Sequence, residues 1–130
     1  MDSRLKKTDK QFKLLIIDDE KKFLDTLFSF LTKKKYEVVS AFDGLEGIKI
    51  LKTEQQGFDL VITDLVMPKM SGNYLISMIR KEFPHIPVIA MTGWESYPDT
   101  FTNAAQADKI LEKPFRLSDL DKTIKELLPS

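Results

Sequence analysis

The sequence contains 130 residues, of which 42% are hydrophobic and 31% are charged, an ordinary composition for one globular domain with a packed core. Its basic and acidic residues balance at a formal net charge of +0, which argues against general binding to nucleic acid or to a membrane surface. The absence of cysteine excludes disulfides and thiolate metal sites and is compatible with a reducing cytoplasm, and no apolar run approaches the roughly 18 residues of a membrane span.

The N-terminal segment is predicted to be a poorly ordered tail over residues 1–11, because it is rich in lysine and lacks the apolar stretch of a secretion signal. Residues 12–130 are predicted to form one domain. Its first element is the run Leu-Leu-Ile-Ile at 14–17, which is typical of a strand buried on both faces in a parallel sheet. That strand ends abruptly in Asp18 and Asp19.

Adjacent carboxylates at a strand end are an electrostatic problem, because like charges a few ångströms apart repel each other. A hard divalent cation with oxygen ligands resolves it at neutral pH, and Mg²⁺ is the favoured candidate. The alternative is that Asp18 and Asp19 only cap the helix that follows.

The rest of the chain alternates between strand and helix patterns. Apolar residues at helical spacing predict helices over 21–34, from Leu45 to near Gly57, around Tyr74, Leu75, Met78 and Ile79, and from Ser118 onward, where Asp121 suggests a capping box. Further strands are predicted at 37–41, 58–64, 87–93 and 109–113, and a loop with a short helix is predicted between residues 94 and 107. Five such repeats indicate an α/β fold, in which helices cover both faces of a parallel sheet.

Polar side chains follow several of these strands at the edge where ligands bind in open α/β sheets. Besides Asp18 and Asp19, they are Asp64, Thr92 and Lys113. Taken singly, each has an ordinary structural explanation, as a turn former, a β-branched strand residue or a solvated cation. Together they could hold a cation and an anion side by side, which is what transfer of a phosphoryl group to a carboxylate requires.

The segments that carry these residues are LLIIDDE, VITDLVMPKMSG, VIAMTG and ILEKPF. In this order and spacing, the chain resembles a response-regulator receiver domain of two-component signalling, of the chemotaxis-regulator type. The resemblance implies a flavodoxin-like, doubly wound (βα)5 fold with a five-stranded parallel sheet of order 2-1-3-4-5.

The resemblance also assigns roles to residues. Asp64 would accept the phosphoryl group, Asp19 and Asp64 would bind Mg²⁺ directly, Asp18 would act mainly through water, and the carbonyl of Val66 would complete the protein ligands. Thr92 and Lys113 would contact the phosphoryl oxygens. The peptide bond between Lys113 and Pro114 would be cis, which is uncommon, since only about 5–6% of such bonds are cis.

The function implied is that of a cytoplasmic signalling switch, not an enzyme acting on an external substrate. A histidine kinase or phosphotransfer protein would supply the phosphoryl group, and an effector protein or effector domain would respond. Direct binding to nucleic acid or membrane is not expected. The single histidine, His85, lies in a proline-flanked loop and is predicted to be a surface residue.

Two features depart from the family pattern or sit beside the site. Ile110 stands where the family usually has an aromatic residue, so the usual coupling between the hydroxyl of Thr92 and a moving ring is in doubt. Val66 and Trp94 are unusually apolar neighbours of the site, and one hypothesis is that they shield an acyl phosphate from water. The alternative is that Trp94 lies flat on the surface without a role.

Two other functions are considered. A metal-dependent phosphatase or hydrolase could use the same acidic edge, but the haloacid-dehalogenase type would place Asp-x-Asp after the first strand, whereas Asp18 and Asp19 are adjacent. A flavodoxin-like cofactor binder would need a hydroxyl- and glycine-rich loop at that position, and acidic residues stand there instead.

Overall fold

The computed structural model describes residues 11–54, 56–67, 70–93 and 106–129. These residues form β1 (Lys13–Ile17), α1 (Lys21–Lys33), β2 (Glu37–Ala41), α2 (Gly44–Thr53), β3 (Leu60–Asp64), α3 (Gly72–Glu82), β4 (Val88–Thr92), β5 (Lys109–Glu112) and α4 (Leu117–Leu127). The alternation confirms the predicted α/β class. The predicted tail and the short helix predicted after Gly93 fall largely outside the described residues. No helix within the described ranges is long and apolar enough to cross a bilayer.

The described strands form one parallel sheet in the order β2-β1-β3-β4-β5, which confirms the predicted flavodoxin-like order. In its register, Ile17 pairs with both Ala41 and Thr63, and Thr92 pairs with Glu112. The carboxyl ends of the strands are therefore level at one edge of the sheet. The residue after each strand is placed at that edge by the register itself.

Helices cover both faces of the sheet. The residues of β1 are therefore all buried, and they alternate between two hydrophobic cores. Leu15 and Ile17 belong to one hydrophobic cluster with residues of α2 and α3. Leu14 and Ile16 belong to a second cluster with residues of α1 and α4. Burial on both sides is the reason why the run at 14–17 is continuously apolar.

Two of the apolar residues that marked predicted helices are exposed. Leu45 and Tyr74 each expose 57% of their surface, although the helices that they marked are present. The buried stripe of α3 runs through Leu75, Ile76 and Ile79 at helical spacing, and Tyr74 lies beside this stripe. Leu45 is likewise displaced by one residue from the buried face of α2.

The capping box predicted at Ser118 and Asp121 is wrong. Helix α4 begins at Leu117, and its N-cap residue is Arg116. The side chain of Asp121 is buried and accepts a hydrogen bond from the hydroxyl of Tyr36 at 3.0 Å. The Asp121 carboxylate, which the local pattern assigned to a helix cap, thus takes part in a tertiary hydrogen bond instead.

A reciprocal cap of this kind is found instead at the start of α2. Asp43 accepts a hydrogen bond from the backbone N–H of Glu46 at 2.8 Å, and the Glu46 carboxylate accepts one from the backbone N–H of Phe42 at 2.7 Å. At its other end, α2 stops at Thr53, earlier than the predicted end near Gly57. Gly57 lies beyond the helix at a φ of 72°, a conformation that favours glycine.

Candidate functional site

The polar residues predicted to meet at the sheet edge do meet there. Asp18 follows β1, Asp64 and Thr92 are the last residues of β3 and β4, and Lys113 follows β5. The ammonium nitrogen of Lys113 lies 3.0 Å from Asp18 Oδ2 and 3.2 Å from Asp64 Oδ2. Groups from three strands are therefore in direct contact, although Asp18 and Lys113 are 95 positions apart in sequence.

Three carboxylates of this edge could share one cation. Asp18, Asp19 and Asp64 each offer an oxygen, and these atoms lie within 4.8 Å of one another. Asp18 is fully buried, Asp64 is 7% exposed and Asp19 is exposed, so the cluster opens to solvent on the side of Asp19. An all-carboxylate donor set fits a hard divalent ion such as Mg²⁺.

The capping alternative does not describe these aspartates. Glu20 occupies the N-cap position of α1. Asp18 Oδ1 instead accepts a hydrogen bond from the backbone N–H of Glu20 at 2.8 Å, which turns the chain directly after β1. Both oxygens of Asp18 are thus engaged, one by the backbone and one by Lys113.

The carboxyl of Asp64 is held in a largely dry position. Its Oδ1 accepts a hydrogen bond from the backbone N–H of Val66 at 3.1 Å. Burial raises the pKa of Asp64, and this effect outweighs the Lys113 ammonium and the Val66 N–H, which lower it. The nearby charge of Asp18 raises the pKa further. A cation placed beside this carboxyl would stabilise its charged form.

Lys113 is partly buried, with 23% of its side chain exposed. Burial lowers the pKa of Lys113, but the negative charges of Asp64 and Asp18 more than offset this, so the net shift is upward. The amine therefore stays protonated at neutral pH. The bond between Lys113 and Pro114 is cis, as the family resemblance implies.

Thr92 brings a hydroxyl to the same edge of the sheet. Its side chain is buried, and its Oγ1 has no hydrogen-bond partner among the described residues. A buried hydroxyl that makes no hydrogen bond is costly in free energy, so it is disposed to donate to an oxygen brought into the site.

Gly72, the first residue of α3, packs against the backbone at the end of β3. A Cβ on Gly72 would come within 2.4 Å of both the Asp64 carbonyl oxygen and Leu65 Cα. Such a clash with backbone atoms cannot be relieved by a side-chain movement. The sequence suggested a loop here, but it did not reveal that Gly72 packs directly on the backbone of Asp64.

Other residues discussed from the sequence have simpler placements. Val66 and Ile110 are each 42% exposed, and His85 is exposed as predicted. Trp94 lies outside the described residues. Sequence reasoning gave no role to Phe23, whose ring centroid lies 4.5 Å from the ammonium nitrogen of Lys113.

Comparison with known proteins agrees with this geometry. The family model described as the response regulator receiver domain matches residues 14–125. The chain belongs to the response-regulator receiver domain family. This receiver domain is 37% identical over 124 residues to the probable transcriptional regulator ycf27 of Cyanidium caldarium, covering 95% of this chain and 49% of that protein.

Solved structures agree with the family assignment. A receiver domain protein described as CheY-like, from Methanospirillum hungatei JF-1, superposes with a TM-score of 0.84 at 30% identity and covers 90% of this chain and 93% of that one. The response regulator protein TrrA of Thermotoga maritima, solved in complex with Mg(2+)-BeF, gives a TM-score of 0.81 at 29% identity over 91% of this chain and 100% of that one.

The family defines the general function of the receiver domain as a phosphorylation-activated signalling switch. These matches give no support to the phosphatase or hydrolase alternative. The chain spans about half the length of the ycf27 relative and 26% of the length of the transcriptional regulatory protein GlrR of Escherichia coli, to which it is 38% identical.

Proposed function

We propose that Asp64 accepts a phosphoryl group from a histidine kinase or phosphotransfer protein, in a Mg²⁺-dependent reaction that changes the binding of this domain to its partners. The observation that carries the proposal is the contact between Asp64 Oδ2 and the Lys113 ammonium at 3.2 Å, inside a cluster of carboxylates. Asp64 can attack the phosphorus, Lys113 can neutralise charge on the phosphoryl oxygens, and the carboxylates can hold a cation.

The chemistry assigned to Asp64 is nucleophilic. A carboxylate oxygen attacks phosphorus, the bond between phosphorus and the donor's imidazole nitrogen breaks, and that nitrogen keeps the electron pair and is reprotonated. The product is an acyl phosphate on Asp64. Lys113 offsets negative charge on the phosphoryl oxygens, and the buried surroundings strengthen that attraction.

The metal would be held by Asp19 and Asp64, with the Val66 carbonyl as a further ligand and Asp18 acting through water. Hydrogen bonds already occupy both oxygens of Asp18, which favours the indirect role, and Asp19 is exposed where an ion enters. When bound, Mg²⁺ would supply positive charge that reduces repulsion between the carboxylate and the incoming phosphoryl group.

Thr92 is proposed to report the modification. Its buried hydroxyl would donate a hydrogen bond to a phosphoryl oxygen on Asp64 and draw the end of β4 toward the site. Ile110 is exposed and has no ring to reorient, so the signal would reach the surface by a change in backbone and loop position.

The partners proposed for the switch are the phosphodonor protein and an effector protein or effector domain. The ycf27 relative is a probable transcriptional regulator about twice as long as the matched segment, which supports an effector outside this domain. The balanced charge of the chain supports protein partners over direct contact with nucleic acid. A cytoplasmic location is also proposed, and the absence of cysteine is compatible with it.

The test is phosphorylation by a small donor. The protein is incubated with acetyl phosphate and Mg²⁺, and its intact mass is measured. Wild type and Asp25→Asn, which changes an exposed carboxylate on α1, are expected to gain one phosphoryl mass. Asp64→Asn, or omission of Mg²⁺, is expected to abolish the gain. Equal uptake by Asp64→Asn would overturn the proposal.

A further inference from the structure

The Lys113 ammonium faces an aromatic ring as well as carboxylates. Its nitrogen lies 4.5 Å from the ring centroid of Phe23, while it also contacts Asp18 at 3.0 Å and Asp64 at 3.2 Å. A lysine ammonium at this distance from a ring is attracted by the negative face of the π system. Phe23 lies in the first turn of α1, so the helix that follows the acidic strand end supplies this contact.

The ring of Phe23 is itself supported by a second aromatic residue. Phe115 meets it edge to face, with centroids 5.9 Å apart and an interplanar angle of 74°. Phe115 lies two residues after Lys113, so the segment that carries the lysine also braces the ring that holds it. Both phenylalanines pack against the core formed with α1 and α4. Phe115 and this core therefore support the Phe23 ring.

We propose that Phe23 is a positioning residue that holds the Lys113 ammonium at the phosphoryl site through this cation–π contact. The inference rests on the proposed function of Lys113 as the cation that contacts the phosphoryl oxygens. Lysine has a flexible four-carbon stem, so its ammonium needs fixed partners to stay in place.

The partners of Lys113 respond differently to phosphorylation. Asp64 loses its carboxylate charge when its oxygen bonds to phosphorus, so its ion pair with Lys113 is replaced by an ion pair between Lys113 and the phosphoryl oxygens. The attraction of the Phe23 ring, like the charge of Asp18, does not depend on the state of Asp64, so both contacts can persist when Asp64 is phosphorylated. A neutral partner can therefore keep the lysine in position without competing with the phosphoryl group for charge.

The test separates the effect of the π electrons of the Phe23 ring from the effect of its size. Phe23→Leu keeps an apolar side chain but removes the π face, and phosphorylation of Asp64 by acetyl phosphate is expected to slow roughly two- to tenfold. Phe23→Tyr keeps the π face and is expected to remain close to wild type. The matched control is Phe28→Leu, at an exposed phenylalanine of the same helix, which is expected to leave the rate unchanged.

A graded series provides a second test in case Phe23→Leu fails to fold. Phe23 is replaced by phenylalanines carrying one, two or three ring fluorines, which weaken the negative face with little change in size. The phosphorylation rate is expected to fall in that order. A rate that does not respond to fluorination, or a Phe23→Leu rate equal to wild type, overturns the inference.

A spectroscopic readout does not require the reaction. In the metal-free protein, the ring current of Phe23 should shift the ε-methylene protons of Lys113 upfield, and Phe23→Leu should remove the shift. Ordinary lysine shifts in wild type would contradict the contact. Failure of the wild type to take up phosphate would instead refute the proposed function, so the two failures are distinguishable.

Discussion

The hydroxyl of Tyr36 donates a hydrogen bond of 3.0 Å to the carboxylate of Asp121, joining the segment before β2 to α4 across 85 positions of sequence. Both residues are buried, and Lys125 pairs with the other oxygen of Asp121 at 3.1 Å. Burial raises the pKa of Tyr36, and the hydrogen bond and charge of Asp121 raise it further. The hydroxyl therefore keeps its proton and remains a donor.

Replacing this tyrosine is expected to destabilise the fold. Tyr36→Phe leaves a buried carboxylate oxygen without its donor, which costs about 1–3 kcal/mol in the free energy of unfolding. The measurement is guanidinium denaturation at neutral pH. Tyr74→Phe, at an exposed tyrosine, is the control and is expected to change stability by less than about 0.5 kcal/mol. Indistinguishable effects of the two variants would contradict this account of Asp121.

The sheet and the polar residues of its edge were predictable because short-range patterns encode them. Buried strands are continuously apolar, and the polar residue after each strand marks where it ends. Asp64, Thr92 and Lys113 could therefore be assigned to one edge before any coordinates were known. The strand order was predictable only through the family resemblance, since the pattern gives alternation and not which strands are neighbours.

What the sequence did not reveal depends on contacts between distant residues. Asp121 fits a local capping pattern, and only the fold brings the Tyr36 hydroxyl to it. Phe23 fits an apolar helix face, and only the convergence of α1 with the segment after β5 places its ring against Lys113. The exposure of Tyr74 shows a third limit, because one residue of helical rotation separates a buried face from solvent.

The hydroxyl of Thr92, which has no hydrogen-bond partner in the described part of the chain, leads to a prediction about both stability and signalling. Thr92→Val replaces the buried hydroxyl by a methyl group of similar size and is expected to stabilise the unphosphorylated protein by about 1 kcal/mol. The same variant should still gain phosphate on Asp64. It should lose most of the change in backbone amide shifts that phosphorylation causes in wild type. A full spectral response in Thr92→Val would show that the hydroxyl does not transmit the signal.

The raised pKa of Asp64 predicts how stability depends on pH when no metal is bound. A carboxyl with a raised pKa in the folded state contributes stability below its ordinary pKa of about 3.9, and this contribution is lost as pH rises through the folded-state pKa. Relative to Asp64→Asn, wild type should therefore lose stability as pH rises through the range above about 4. The measurement is denaturation of both proteins with a chelator present. A relative gain in wild-type stability over that range would reverse the assigned sign.

The apolar side chain of Val66 tests the shielding hypothesis. Val66 is 42% exposed and its backbone N–H donates to Asp64, so an exposed apolar side chain is carried by a residue in direct contact with Asp64. Val66→Asn would place a water-binding amide there and is expected to shorten the lifetime of the acyl phosphate severalfold. The measurement is loss of phosphate after the donor is removed, for Val66→Asn and for Trp94→Ala. If neither variant loses phosphate faster than wild type, shielding is wrong.

The central claim is that a transient acyl phosphate forms on Asp64, and reductive trapping tests it most directly. The protein is phosphorylated with acetyl phosphate and Mg²⁺ and treated with borohydride, which reduces an acyl phosphate of aspartate to homoserine, and its peptides are then mapped by mass spectrometry. The account predicts homoserine at position 64, at no other aspartate, and only when both the donor and Mg²⁺ are present. Trapping at Asp18 or Asp19 instead, or no trapping in a protein that has gained phosphate, would contradict it.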